Sequence, residues 1–138
     1  MLNNRSMPRC TVIPELAYPD VGEAVDWLCS VFGFTLRIRI GNHRAQLKTG
    51  DGALVVIELP EGTDPTLPTH SIMVRVEDID RHYEFVKEQG ARVGPPPVDY
   101  PYGERQYNVV DFAGHRWTFS QSIADVAPES WGGVSGEL

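Results

Sequence analysis

The chain carries the same phrase twice. Asp20-Val21-Gly22-Glu23-Ala24-Val25-Asp26-Trp27-Leu28 is matched further along by Asp78-Ile79-Asp80-Arg81-His82-Tyr83-Glu84-Phe85-Val86, acid against acid and bulky apolar residue against bulky apolar residue at most positions. Self-similarity of this kind marks a duplicated half-domain. Each copy is preceded by one strand-like run and followed by several more. Each half therefore reads as one helix on a small sheet, which cannot bury its apolar face alone. Two halves side by side can do so and enclose a cleft.

At 138 residues the chain fits one domain, large enough to bury about two-thirds of its unfolded surface. No apolar run approaches the roughly 20 residues that span a bilayer, and the opening Met1 to Arg9 is polar and does not read as a signal peptide. Cys10 and Cys29 lack ligand-like spacing, which predicts free, buried thiols and a cytoplasmic setting. The net charge of -7 argues against nucleic acid or an anionic membrane as partner, because affinity for phosphates rests on clustered Lys and Arg. A neutral or cationic small molecule is compatible with it.

In the first half, Thr11 to Tyr18 reads as a strand broken by Pro14, a residue expected at an edge or bulge. Asp20 caps a helix with Glu23 three residues on. Val21, Ala24, Val25, Leu28, Cys29 and Phe32 fall on one face before Gly33 ends it. Phe34 to Ile40 alternates apolar and polar, the period of a strand with one wet face. Arg44 to Lys48 and the almost wholly apolar Ala53 to Leu59 follow across two glycine turns.

After a Pro-rich connector the pattern restarts: a strand at His70 to Val76, a helix at Asp78 to Gln89, then strands at Ala91 to Val98, Gln106 to Asp111 and His115 to Gln121. The organisation expected is a tail at 1–10, one domain at 11–121 and an irregular tail at 122–138 in which Trp131 docks on the body or on a partner subunit. The domain divides into module one (11–59), a linker (60–69) and module two (70–121). The fold class is α+β: two tandem β-α-β-β-β modules forming a curved mixed sheet around a cleft, paired in a homodimer.

With its residues, this arrangement resembles the vicinal oxygen chelate superfamily, which holds glyoxalase I, extradiol dioxygenases, fosfomycin-resistance enzymes and bleomycin-resistance binding proteins. The resemblance rests on Tyr18-Pro19-Asp20, Phe32-Gly33-Phe34, Val76-Glu77-Asp78-Ile79-Asp80, Gly90-Ala91-Arg92 and Asp111-Phe112-Ala113-Gly114-His115-Arg116-Trp117. It is closest to a branch carrying a Tyr-Gly-x-Arg-x-Tyr segment, here Tyr102 to Tyr107, before a Gly-His-x-Trp strand.

The resemblance implies a divalent metal held by one side chain from each of four strands, with open positions for substrate oxygens. Counting from the helix caps, two of the family's ligand positions fall on Ile13 and Ser71, and the last-strand glutamate falls on Thr118; these are not usual ligands. Glu58 is the carboxylate that matches the fourth strand. His70 stands one residue before the expected place, so a bulge is needed to turn it inward. Metal candidates are thus Glu58 and His70 alone, each with a bland reading beside it as a strand-end polar residue. His43, His82 and His115 read as structural or exposed.

Ligand-binding candidates are Glu58, Tyr102, Arg105, Tyr107 and Thr118. The tyrosines offer flat amphipathic surfaces, and Arg105 can clamp a carboxylate or stack on a ring; a loop packed on a dimer mate is the competing reading. No nucleophile elbow, phosphate-cradling loop or paired-cysteine motif is present. Two functions stay open: a glyoxalase/bleomycin-resistance-like protein that binds a small organic molecule with a degenerate metal site, and a divalent-metal-dependent lyase or dioxygenase with an atypical ligand set.

Overall fold

A computed structural model describes residues 1–64, 70–110 and 116–138. The elements run β1 (Val12–Tyr18), α1 (Val21–Phe32), β2 (Thr35–Ile40), β3 (Arg44–Thr49), β4 (Gly52–Glu58), β5 (His70–Arg75), α2 (Ile79–Glu88), β6 (Arg92–Val93), β7 (Val98–Tyr100), β8 (Glu104–Val110), β9 (Arg116–Ser122) and β10 (Val134–Ser135).

The duplicated phrase is the two helices. Asp20 and Asp78, both extended, accept at their side chains from the backbone N–H of Glu23 and Arg81, three residues on. Each thereby satisfies one of the orphan donors of a helix start. Gly33 stops α1 in the left-handed region, φ 75°, a conformation that costs a residue without Cβ little. Val21, Ala24, Val25 and Leu28 face Ala45, Leu47 and Val56, each large member contributing about 1.5–3 kcal/mol by leaving water. Ile79 and Tyr83 of α2 face Tyr107 and Val109.

The strands form one mixed sheet in the order β10-β2-β3-β4-β1-β5-β9-β8-β6, with β7 also on β8. The halves join within one chain: β1 runs antiparallel to β5, Ile13 opposite Met73 and Glu15 opposite Ser71. Each is flanked by a parallel partner, β4 for β1 and β9 for β5. The mixed α+β sheet is thus as the sequence predicts.

Some details differ from expectation. Pro14 lies in the central strand and not at an edge; the parallel ladder with β4 begins only at Glu15, beyond the place of the missing N–H. The expected strand at Ala91 to Val98 shrinks to Arg92–Val93, because Pro95, Pro96 and Pro97 cannot donate to a ladder. A further short strand, β7, follows them. Strand β10 covers the edge of β2, which removes an open ladder, so the last residues are not wholly irregular. The Asp111 to His115 stretch of the glycine-histidine motif lies outside the described residues.

Candidate functional site

Alternation along the strands sends one set of side chains toward the helices and the other to the concave face. In β8, Tyr107 and Val109 go under α2, so Glu104 and Gln106 point the other way. In β9, Trp117 and Phe119 pack with α2, leaving Thr118, Ser120 and Ser122 on the concave side. In β1 and β5 that side presents Ile13 and Glu15, Ser71, Met73 and Arg75.

The middle of this face holds a polar cluster. Glu15, 7% exposed, lies 3.6 Å from the Arg44 guanidinium and is hydrogen-bonded by Ser71. Burial pushes its carboxyl above the ordinary 4.5 against the opposing pull of Arg44. Tyr102 belongs to the same electrostatic neighbourhood. Its phenol is pushed up to about 12, first by burial, with the charges of Arg44, Glu104 and Glu15 also acting on it. The Tyr102 hydroxyl donates to Gln106 Oε1 at 3.1 Å, Gln106 donates to Ser120 Oγ, and Ser120 donates to Glu104. Tyr100 stacks on Tyr102 with ring centres 5.4 Å apart, and Trp131 meets Tyr102 at 5.3 Å.

Beside this cluster the chain's own leading residues fill the concave face. Asn4, Ser6, Met7 and Pro8 are buried, and Met7 joins Ile13, Val55 and Met73 in an apolar group. Arg37 donates to the carbonyls of Arg5 and Met7, Gln46 Nε2 to that of Ser6, and Arg75 to those of Pro8 and Leu2. Arg37 is 5% exposed, and burial lowers its guanidinium to about 10. Asn4 donates to Glu104 and to the Tyr102 carbonyl, and accepts from the N–H of Ser6 and Val126. The polar side of β2, expected to be wet, is therefore dry at Arg37, and the 1–10 segment packs on the body.

The Tyr102 to Tyr107 segment divides between the two faces. Gly103 has φ +82°, and a Cβ there would stand 2.6 Å from the Ala124 carbonyl oxygen and 3.0 Å from Asn4 Nδ2. Its glycine is thus required by backbone angle and by the approach of the leading segment. Arg105 points away from the cleft, paired at 2.9 Å with both Asp80 and Asp99. Tyr107 is buried beneath α2 with its hydroxyl 2.6 Å from His82 Nδ1. The same burial lowers the imidazole's proton affinity.

Of the residues singled out from sequence, Tyr102 and Thr118 share the concave side. Thr118 donates there to Asn108 at 2.8 Å. Glu58 is exposed at the end of β4, opposite Tyr18 and on the face that Val56 turns to α1; His70, paired with Leu16, begins β5. These two are not brought to the Tyr102 cluster. Sequence reasoning passed over Glu15, Arg37, Gln46, Arg75 and Glu104. Their available signal was polarity on one face of strands whose other face is apolar, a pattern that exposed strands share.

Comparison with known proteins gives the lineage. The family model for the glyoxalase/bleomycin resistance protein/dioxygenase superfamily matches residues 9–119. The chain belongs to that superfamily. Methylmalonyl-CoA epimerase, solved with methylmalonyl-CoA and NH4+, shares its fold at TM-score 0.67 and 18% identity over 83% of this chain and 96% of that one. The Mn(II)-bound glyoxalase from Novosphingobium aromaticivorans gives 0.64 and 16%, over 91% of this chain and 42% of that one. TioX from Micromonospora sp. ML1 is 38% identical over 80% of this chain and 97% of that one, at TM-score 0.37. No match was found among curated proteins.

Superfamily members include metal-bound proteins, so the donor set decides whether a divalent ion fits here. Ile13 is fully buried among Met7, Val55 and Met73, Ser71 is bonded to Glu15, Thr118 is bonded to Asn108, and Glu58 faces elsewhere. Among the described residues no three His, Cys, Asp or Glu side chains converge in a way that could hold an ion. The residues at the positions the resemblance implies do not make a divalent-metal ligand set. No helix among the described residues is long and apolar enough to cross a membrane.

Proposed function

We propose that this superfamily member binds a small organic molecule on its concave face through protein side chains and not through an inherited metal site. The observation that supports this reading most is the pairing of Glu15 with Arg44 at 3.6 Å in the middle of that face, next to Tyr102. A buried carboxylate, a guanidinium and an amphipathic ring offer an acceptor, donors and a stacking surface in one place, the combination by which clefts orient small ligands. The relatives named above include a protein solved with a thioester ligand and one with bound manganese. The replaced ligand positions favour binding over their chemistry. A homodimer belongs to the same proposal.

The test is calorimetric binding of a panel of small aromatic and cationic molecules to wild type, Glu15→Gln and Tyr102→Ala, with metal content measured on protein purified without chelator. Binding by metal-poor wild type that weakens about tenfold or more in either variant supports the reading. Near-stoichiometric metal, with ligand binding abolished by a chelator, overturns it in favour of a metal-dependent lyase or dioxygenase.

A further inference from the structure

The hydrogen bonds of the concave cluster have a direction, and it is set at Glu104. Asn4 Oδ1 accepts from the main-chain N–H of Ser6 and of Val126, which fixes the amide and turns Nδ2 to Glu104 Oε2 at 2.9 Å. Ser120 Oγ lies 2.7 Å from the other carboxylate oxygen. An ionised carboxylate has no proton to give, so Ser120 spends its one donor there. The Ser120 oxygen then accepts from Gln106 Nε2 at 2.9 Å. That sets the Gln106 amide and leaves its oxygen for Tyr102 at 3.1 Å. An amide oxygen only accepts, so the Tyr102 hydroxyl donates to Gln106. Burial, the first cause of a phenol pushed up to about 12, keeps that proton in place at neutral pH.

What Tyr102 has left to offer a ligand is lone pairs. No group among the described residues donates to its hydroxyl oxygen. A ligand that brings an N–H or O–H there gains a hydrogen bond. A ligand that brings a lone pair meets a second lone pair with no proton between them, and the bond is forfeited. The same ring with its nitrogen protonated or bare is therefore a different ligand to this site.

We propose that Glu104, Ser120 and Gln106 act as a relay that makes Tyr102 a fixed acceptor, so that the concave site takes ring compounds presenting a hydrogen-bond donor and rejects isosteres presenting a lone pair. The proposal rests on the reading of the concave face as the ligand surface and names the ligand class for it. The three relay groups are positioning residues, since they act through the Tyr102 hydroxyl.

The probes are indole and quinoline, neutral two-ring aromatics of which the first presents a ring N–H and the second a nitrogen lone pair. Each is titrated into the full chain with the 15N indole resonance of Trp131 as readout, because that ring lies 5.3 Å from Tyr102. Wild type is expected to bind indole about tenfold or more tighter than quinoline. Tyr102→Phe should erase the preference. Gln106→Leu lets the hydroxyl turn and donate to quinoline, which narrows the preference, whereas Gln106→Glu still accepts from Tyr102 and keeps it; circular dichroism confirms that each variant is folded. A merely structural role for Gln106 would not separate these two variants. Equal binding of the probes to wild type, a preference that survives Tyr102→Phe, or one that Gln106→Leu leaves intact overturns the proposal while the small-molecule reading stands. If neither probe moves Trp131 but other small molecules do, the proposal alone falls. If none does, both fall.

Discussion

Asn4 Nδ2 donates to Glu104 Oε2 at 2.9 Å, joining positions 100 residues apart in a buried contact. Glu104 is fully buried, and its other oxygen accepts from Ser120 at 2.7 Å. The amide of Asn4 uses both donors and both acceptor directions, so one side chain fastens the leading segment, the Tyr102 turn and the Val126 backbone together.

Asn4→Ala is expected to lower the unfolding free energy by about 1–3 kcal/mol, because it leaves a buried carboxylate oxygen and two backbone N–H groups short of partners. Urea denaturation measures it. A change within error would mean that water satisfies these groups.

Gly103→Ala adds a Cβ at φ +82° and 2.6 Å from the Ala124 carbonyl oxygen. The backbone must shift or the turn must open, at a cost of about 1–3 kcal/mol. Gly50, also at positive φ (+57°) but with nothing within 4 Å, supplies the control. Gly50→Ala keeps only the backbone penalty and should fall less in thermal melts.

Glu15 gives a pH signature. Its folded carboxyl holds its proton more tightly than the unfolded chain does, burial being the main cause. As pH rises from 4.5, the unfolded chain releases its proton first, so stability falls across the window up to the raised folded value. The cost is complete above that window and absent below 4.5. Glu15→Gln should therefore be more stable than wild type at neutral pH, with the gain vanishing as pH drops below about 4.5. Denaturation midpoints over a pH series read this directly.

Metal addition should not raise the melting temperature. Nickel, manganese, iron or zinc is expected to leave wild type and Glu58→Ala alike, because a ligand that binds only the folded state shifts the transition by mass action. A rise in wild type that disappears in Glu58→Ala would restore a metal role for that residue.

The helices were legible because their signals are local: an aspartate at each cap and an apolar stripe at helical spacing fix α1 and α2 without long-range knowledge. The duplication was legible because the phrase repeats, and the superfamily because motifs such as Tyr18-Pro19-Asp20 and Phe32-Gly33-Phe34 resemble its members. Arg37 shows where legibility stops. Its alternation with Leu36 and Ile38 fixes the strand, but whether its face meets water or the chain depends on residues 5–7 returning from far away in sequence, which no period records. Arg105 shows the complementary limit. Its place beside Tyr102 suggested a shared site, yet Arg105 lies with Tyr107 on the face of β8 that α2 covers, and Asp80 and Asp99 hold it there.

The three tryptophans report on three separate surfaces. Trp131 lies against Tyr102 and donates to Ser6 Oγ, Trp27 lines a cavity of about 370 Å3 outside α1, and Trp117 packs with α2. The decisive measurement is 15N indole NMR during titration of the small-molecule panel. Movement of the Trp131 resonance, with Trp27 and Trp117 unmoved, is the predicted result. Saturable movement of Trp27 alone would contradict a concave-face site and place ligand binding on the outer side of α1.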